Sequence, residues 1–287
     1  MRLIHFSDVH VRELFSLREL PRFGWRRALA LLELSLAGRG RQFGDSLTTL
    51  RRLVATMETF APDHILFSGD FTALATPHEF EWAKEVLGPW ASDPRRLSVV
   101  PGNHDRYTRR SVRERRFERC FGALLESDLP RLQGSAGFPF VRLVGERLAV
   151  IGLDTTRLAP FPGLAFGRID PGQRRLLEDI LESEAVRNRA VALLLHHAPL
   201  SPHGRPDTLT HGLVDAPELL ARLAGRPRTS MHFGHIHHRY WLAANETRPH
   251  LFDAGAGTMR CAPGFWVIDL DDAGNVADAR DVVLSRA

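Results

Sequence analysis

Residues 2–10 read Arg2-Leu3-Ile4-His5-Phe6-Ser7-Asp8-Val9-His10: a short, largely apolar run with the character of a buried strand, then a carboxylate and an imidazole one residue apart. The pattern returns four times. His64–Ser68 leads into Gly69-Asp70, and Leu97–Val100 into Pro101-Gly102-Asn103-His104-Asp105. Ala190–Leu195 leads into His196-His197, and Thr229–Phe233 into Gly234-His235-Ile236-His237. Ligands of open α/β sheets gather at the carboxyl ends of the strands. Five polar islands, each at a strand end, are therefore expected to meet at one edge.

Between these strands lie helical patterns. Leu47, Leu50, Leu53, Val54 and Met57 recur at three and four residues, which predicts a helix over 44–60. Pro77 opens a second helix, Pro77–Leu87, at the position proline favours. A basic helix is expected over Ser111–Leu124 and another over Asp170–Glu184. Phe140–Val144 and Leu148–Leu153 flank Gly145-Glu146 as a hairpin, and short strands are expected near 239–244, 249–253 and 264–270. Alternating strand and helix argues for a layered α/β fold, and the hairpins for a second sheet packed on the first. Without a repeat, low-complexity tract or clear linker, residues 1–287 are expected to form one domain.

Composition bounds the function. The chain has 287 residues, 44% hydrophobic and 25% charged, ordinary for a globular protein with a sizeable core. Lys84 is the only lysine, so the basic character rests on arginine, and the formal net charge of +4 is small. That bias is read as compositional, and no nucleic-acid partner is expected. Cys120 and Cys261 are far apart and lack a CxxC neighbour, so free buried thiols are expected. Leu3–Phe6 runs straight into Asp8 and His10, leaving no room for a cleaved leader, and no apolar run reaches the ~18 residues of a spanning helix. A cytoplasmic location is the expectation.

The islands carry the chemistry. Residues two apart at a strand end point the same way, so Asp8 with His10, and His235 with His237, can each serve one cation. Two carboxylates, an amide and several imidazoles exceed what one metal needs, and a carboxylate bridging two metals accounts for them. Oxygen and nitrogen donors without thiolate favour Mn, Fe, Zn or Co over Ca.

The order DxH, GD, GNHD, HH, GHxH resembles the calcineurin-like metallophosphoesterase superfamily over residue 4 to about residue 260. The resemblance implies an α/β/β/α sandwich of two mixed sheets with flanking helices. It implies that Asp8, His10 and His237 bind one metal, that Asn103, His196 and His235 bind the other, and that Asp70 bridges them. His104 would face the substrate phosphate and assist the leaving oxygen, with Asp105 orienting it. The expected reaction is in-line attack on phosphorus by a hydroxide generated between two divalent cations. Arg106 and Tyr107 are candidates for touching substrate, a solvated loop being the alternative. His197 is expected to point away as a structural residue, Asp154 to support a ligand histidine and His238 to face solvent; His203, His211 and His232 have no spacing that recommends them.

Which phosphoester is cleaved is less legible. The early DVH, compact GNHD and HHAP resemble bacterial class III cyclic-nucleotide phosphodiesterases, implying a small-molecule phosphodiester substrate. The alternative within the superfamily is a UDP-2,3-diacylglucosamine pyrophosphatase of lipid A synthesis; a metal-free scaffold is disfavoured because every ligand position is filled. Leu20–Phe43, LPRFGWRRALALLELSLAGRGRQF, is an insertion with Trp25, Leu29, Leu32 and Leu36 on one helical face and arginines at both ends. It reads as a core helix, an apolar lid beside the site or a helix lying on a membrane surface.

Overall fold

The computed structural model describes residues 1–13, 43, 45–158, 164–206 and 210–285. Apart from Phe43, the helical insertion expected over 20–43 lies outside them. In chain order the strands are β1 (Arg2–Phe6), β2 (His64–Phe67), β3 (Leu97–Val99), β4 (Phe140–Val144), β5 (Leu148–Gly152), β6 (Ala190–Leu194), β7 (Thr229–Phe233), β8 (Arg239–Leu242), β9 (His250–Ala254), β10 (Gly264–Leu270) and β11 (Val276–Val283). A five-stranded sheet is ordered β11-β10-β1-β2-β3, and a six-stranded sheet β4-β5-β6-β7-β9-β8. In the first, β1, β2 and β3 are parallel and β10 runs antiparallel between β1 and β11; in the second, β5, β6, β7 and β9 are parallel between antiparallel β4 and β8.

Strand β6 shows why the sheets stack. Ala190, Ala192 and Leu194 join one core cluster and Val191, Leu193 and Leu195 the other. Period-two alternation with both faces buried requires an unbroken apolar run. The first cluster fills the space between the sheets, where Phe252 of β9 meets Trp266 of β10 at 5.8 Å, and continues beneath α1 (Ser46–Glu58) and α2 (Pro77–Leu87). The second lies under helices that include α5 (Pro171–Glu182) and α7 (Ala216–Leu223). The result is the expected α/β/β/α sandwich.

Helix starts follow local chemistry. Thr76 Oγ accepts from the Glu79 amide at 3.2 Å, the Glu79 carboxylate accepts from the Thr76 amide at 3.1 Å, and Pro77 follows the cap. Asp170 caps α5 through the amides of Gly172 and Gln173, with Pro171 next. The expected helix over Ser111–Leu124 is instead two pieces, α3 (Arg109–Arg113) and α4 (Arg116–Phe121), followed by a tighter turn, Gly122–Leu125. Arg115 at φ +50° breaks it, and Phe121 on α4 stacks on Phe71 at 4.3 Å, just past Asp70. The short helix α6 (Glu184–Arg187) follows α5. Cys120 and Cys261 are free thiols, but neither is buried: Cys120 is half-buried and Cys261 exposed.

Three histidines are sealed inside. His5 meets His232 edge to face across the sheets at 5.0 Å; His5 Nε2 lies 2.9 Å from Ser68 Oγ, His232 Nε2 2.9 Å from Ser230 Oγ and His64 Nε2 2.8 Å from Ser98 Oγ. Burial lowers all three pKa values, to about 4 for His64 and about 3 for His232. The unfolded chain therefore binds protons that the native state refuses. Their contribution to stability is present above the unfolded value near 6.5 and is lost as pH falls from there toward 4. The urea midpoint is expected to fall over that window, with a shallower slope in His64→Asn. Equal slopes in the two proteins would remove His64 from the explanation.

Candidate metal centre

The parallel strands of both sheets end at the same place. Past β1 come Asp8 and His10, past β2 Asp70, past β3 Asn103 and His104, past β6 His196, and past β7 His235 and His237. Backbone hydrogen bonds zip the first two loops together: the Asp8 amide donates to Gly69 O at 2.9 Å, Val9 and His10 to Asp70 O at 3.0 and 3.1 Å, and Val11 to Phe71 O at 2.8 Å. Two glycines let these loops close. A Cβ at Gly102 would overlap the Asp70 carboxylate, and one at Gly234 would overlap Asp8 and Ser7.

Strand alternation is not what aims the donors. Asp8, His10, Asp70, His235 and His237 all have left-handed φ, between 44° and 79°. They are five of nine such non-glycine residues among the described residues. Conformations of this kind cost on the order of 1–3 kcal/mol each and persist where the surroundings enforce them, commonly at functional sites. Here they coil the chain so that side chains two residues apart face one point, a geometry that i, i+2 spacing alone does not convey.

Two groups of donor atoms result. Asp8 Oδ1, His10 Nε2 and His237 Nε2 form the first: the two imidazole nitrogens are 3.0 Å apart and lie 3.6 and 3.2 Å from the carboxylate oxygen. The second gathers around His196 Nε2, with Asn103 Oδ1 at 3.0 Å, His235 Nδ1 at 3.2 Å and Asp70 Oδ2 at 3.4 Å. Asp70 Oδ2 also lies 3.8 Å from His10 Nε2, so one oxygen faces both groups. His104 also comes within reach of His10 and Asp70, in a third cluster.

These residues fit divalent cations. His196 Nδ1 is 2.7 Å from Ser68 O, which places a proton there and leaves Nε2 facing Asn103 Oδ1 and Asp70 Oδ2. Three acceptors turned toward one point require a cation or an added proton. Without a metal, the Asp70 carboxylate supplies the latter case, raising His196 to about 9 against the opposing effect of burial. Burial would likewise raise Asp70 and Asp8, yet the imidazoles around them hold both below the ordinary carboxylate range. Asp8 Oδ1 is buried with no hydrogen-bond donor, while Oδ2 accepts from the His235 amide at 3.0 Å.

The other expected residues are placed as follows. The His104 ring is oriented by Ala73 O, 2.8 Å from Nδ1, and stacks on Tyr107 with centroids 5.4 Å apart. Asp105 is not what orients it. The Asp105 carboxylate accepts from the amides of Asp70, Phe71, Thr72 and Gly102 and from Thr72 Oγ, at 3.0–3.3 Å, so it shapes the loop carrying Asp70. Arg106, expected near substrate, is largely buried, with ion pairs to Glu118 at 2.7 Å and Asp154 at 2.9 Å. Asp154 accordingly holds Arg106 and Thr156 rather than a histidine. His197 is buried against Thr155 Oγ at 2.8 Å and lies beside His235, ring centroids 4.5 Å apart. His238, His203 and His211 are exposed. Sequence reasoning missed Ser68 and Ala73, whose contribution is a carbonyl, and Phe43, whose ring lies 4.8 Å from that of His10. A backbone carbonyl leaves no signal in residue type, and Phe43 reads only as the end of the insertion.

A family model for the calcineurin-like phosphoesterases matches residues 1–239. No curated protein matches. Among solved structures, a dimetal phosphatase from Danio rerio superposes with a TM-score of 0.56 at 10% identity, covering 94% of this chain and 93% of that one. The protein TT1561 of Thermus thermophilus gives 0.54 at 11% identity, with 98% of each chain covered. A purple acid phosphatase, PPD1, from yellow lupin (Lupinus luteus) seeds gives 0.53 at 12%, covering 98% of this chain and 53% of that one. At such identities the likeness is one of fold.

Proposed function

The chain belongs to the calcineurin-like phosphoesterase family, and from that premise we propose that it is a dinuclear metal-dependent phosphodiesterase acting on a small-molecule phosphodiester, a cyclic nucleotide or a similar compound, in the cytoplasm. The observation that carries the reading is Asp70 Oδ2, one carboxylate oxygen turned toward both histidine groups. Asp8, His10 and His237 would hold one cation, Asn103, His196 and His235 the other, and Asp70 both. Divalent cations held there would supply Lewis acidity toward phosphoryl oxygens and lower the pKa of water.

The protein's own groups do the rest. Ser68 O fixes the His196 tautomer, and Asp105 holds the Asp70 loop. His104 Nδ1 is held by Ala73 O, which leaves Nε2 to serve the leaving oxygen. Tyr107 and Arg106 steady the segment that carries it, through the ring stack and the Glu118 and Asp154 pairs.

A second reading, hydrolysis of a UDP-linked diacylglucosamine with residues 20–43 on a membrane surface, draws on the residues that flank the insertion. Thr76 Oγ donates to Glu13 at 2.8 Å, which ties the chain before the stretch to the start of α2, and Phe43 at its end lies on His10. Among the described residues no helix is long and apolar enough to cross a membrane. Hydrolysis of bis(p-nitrophenyl) phosphate with added Mn²⁺ tests the reaction class. A panel of 2′,3′- and 3′,5′-cyclic nucleotides against the UDP-linked lipid separates the substrates. No turnover together with no bound metal would sink both readings.

A further inference from the structure

The two donor groups have different walls. His196 and His235 pack against the imidazole of His197, itself tied to Thr155. His10 packs against the imidazole of His104 at 4.8 Å, and both His10 and His237 pack against a benzene ring: Phe43 meets His10 at 4.8 Å and 71° and His237 at 5.6 Å and 68°, both edge to face. Phe43 is only 6% exposed, although it precedes α1 and belongs to none of the helices and strands. Among the described residues its ring meets those of His10 and His237.

From this we infer that Phe43 is a positioning residue for one metal alone, the one held by Asp8, His10 and His237; the inference rests on the dinuclear reading above. Imidazoles that bind metal are oriented by partners on the side away from the ion; loss of a hydrogen-bonding partner weakens binding by roughly 10–100-fold, and loss of a ring that limits rotation by packing acts in the same direction. For His196 that partner is Ser68 O, 2.7 Å from Nδ1. His10 Nε2 and His237 Nε2 are turned toward Asp8 Oδ1, and Phe43 packs on both rings, so one side chain limits the rotation of two ligands. Edge-to-face packing is the favoured geometry for such rings, and an apolar wall keeps water off that flank.

The test counts bound Mn²⁺ in the full chain equilibrated against graded free Mn²⁺. The natural protein is expected to fill two sites. In Phe43→Ala one site weakens by about tenfold or more while the other is unchanged; Phe43→Tyr restores it; His10→Ala abolishes the same site and so identifies it. Unchanged occupancy in Phe43→Ala would overturn the role of Phe43 and leave the dinuclear reading standing. Equal weakening of both sites would also overturn it, since that is what general loosening of the fold produces. A natural protein that takes up no Mn²⁺ would overturn the dinuclear reading and this inference with it.

Discussion

Asp70→Asn is expected to abolish turnover and to lower metal content below two ions per chain. Asparagine matches aspartate in size and keeps one oxygen, so packing is preserved. What disappears is the charge at Oδ2, the atom 3.4 Å from His196 Nε2 and 3.8 Å from His10 Nε2. Oδ1 cannot take its place, because it accepts from the His104 amide at 2.8 Å and is held there. An amide nitrogen turned toward either cation would repel it. Loss of several kcal/mol of charge stabilisation, at about 1.4 kcal/mol per tenfold, predicts a fall of roughly 10³-fold or more. Circular dichroism is expected to match the natural protein, since the Asp105 clamp on the Asp70 amide does not involve the altered atoms. A variant that kept full activity and two metals would show that Asp70 does not bridge.

How much of this is legible in the sequence depends on the kind of information each feature carries. Strand β6 announces itself because both its faces are buried, and Ala190–Leu195 has no polar residue. The islands are legible because metal donors are few in kind and follow apolar runs. Strand β11 escapes such a reading because Val276–Val283 is mostly exposed and rich in Asp and Arg; it forms by pairing with β10, and pairing is not written in its own residues. The stretch Ser111–Leu124 reads as one continuous helix because arginine is a good helix former, and nothing local shows that Arg115 turns left-handed to seat Phe121 on Phe71. At the centre, residue identities are readable and their support is not. Asp105 serves backbone amides, Ala73 and Ser68 serve through carbonyls, and Arg106 finds Glu118 and Asp154 on other elements. Each depends on tertiary approach between segments that local sequence does not connect.

His104→Ala is expected to separate chemistry from metal binding. The backbone amide of residue 104, which donates to Asp70 Oδ1, survives the substitution, and so do the atoms that face the two donor groups. Metal content should therefore stay near two. The ring is lost, and with it an imidazole that Ala73 O holds through Nδ1, in reach of His10 and Asp70 but outside the Asp8–His10–His237 and Asp70–His196–His235 groups. General acid or hydrogen-bond assistance to a departing oxygen contributes ~10²–10⁴-fold, so turnover of an alkyl or nucleoside ester should fall by that order. The fall should shrink for p-nitrophenyl esters, whose leaving oxygen needs little help. Burial holds the His104 pKa down to about 4, so the neutral ring predominates at pH 7, and an arriving phosphate dianion or monoanion favours its protonation. The neighbourhood admits a different outcome: His104 lies within reach of His10 and Asp70, its ring centroid 4.8 Å from that of His10. If the variant lost a metal, and the loss in rate were the same for good and poor leaving groups, His104 would be a ligand and the leaving oxygen would have to depart without it.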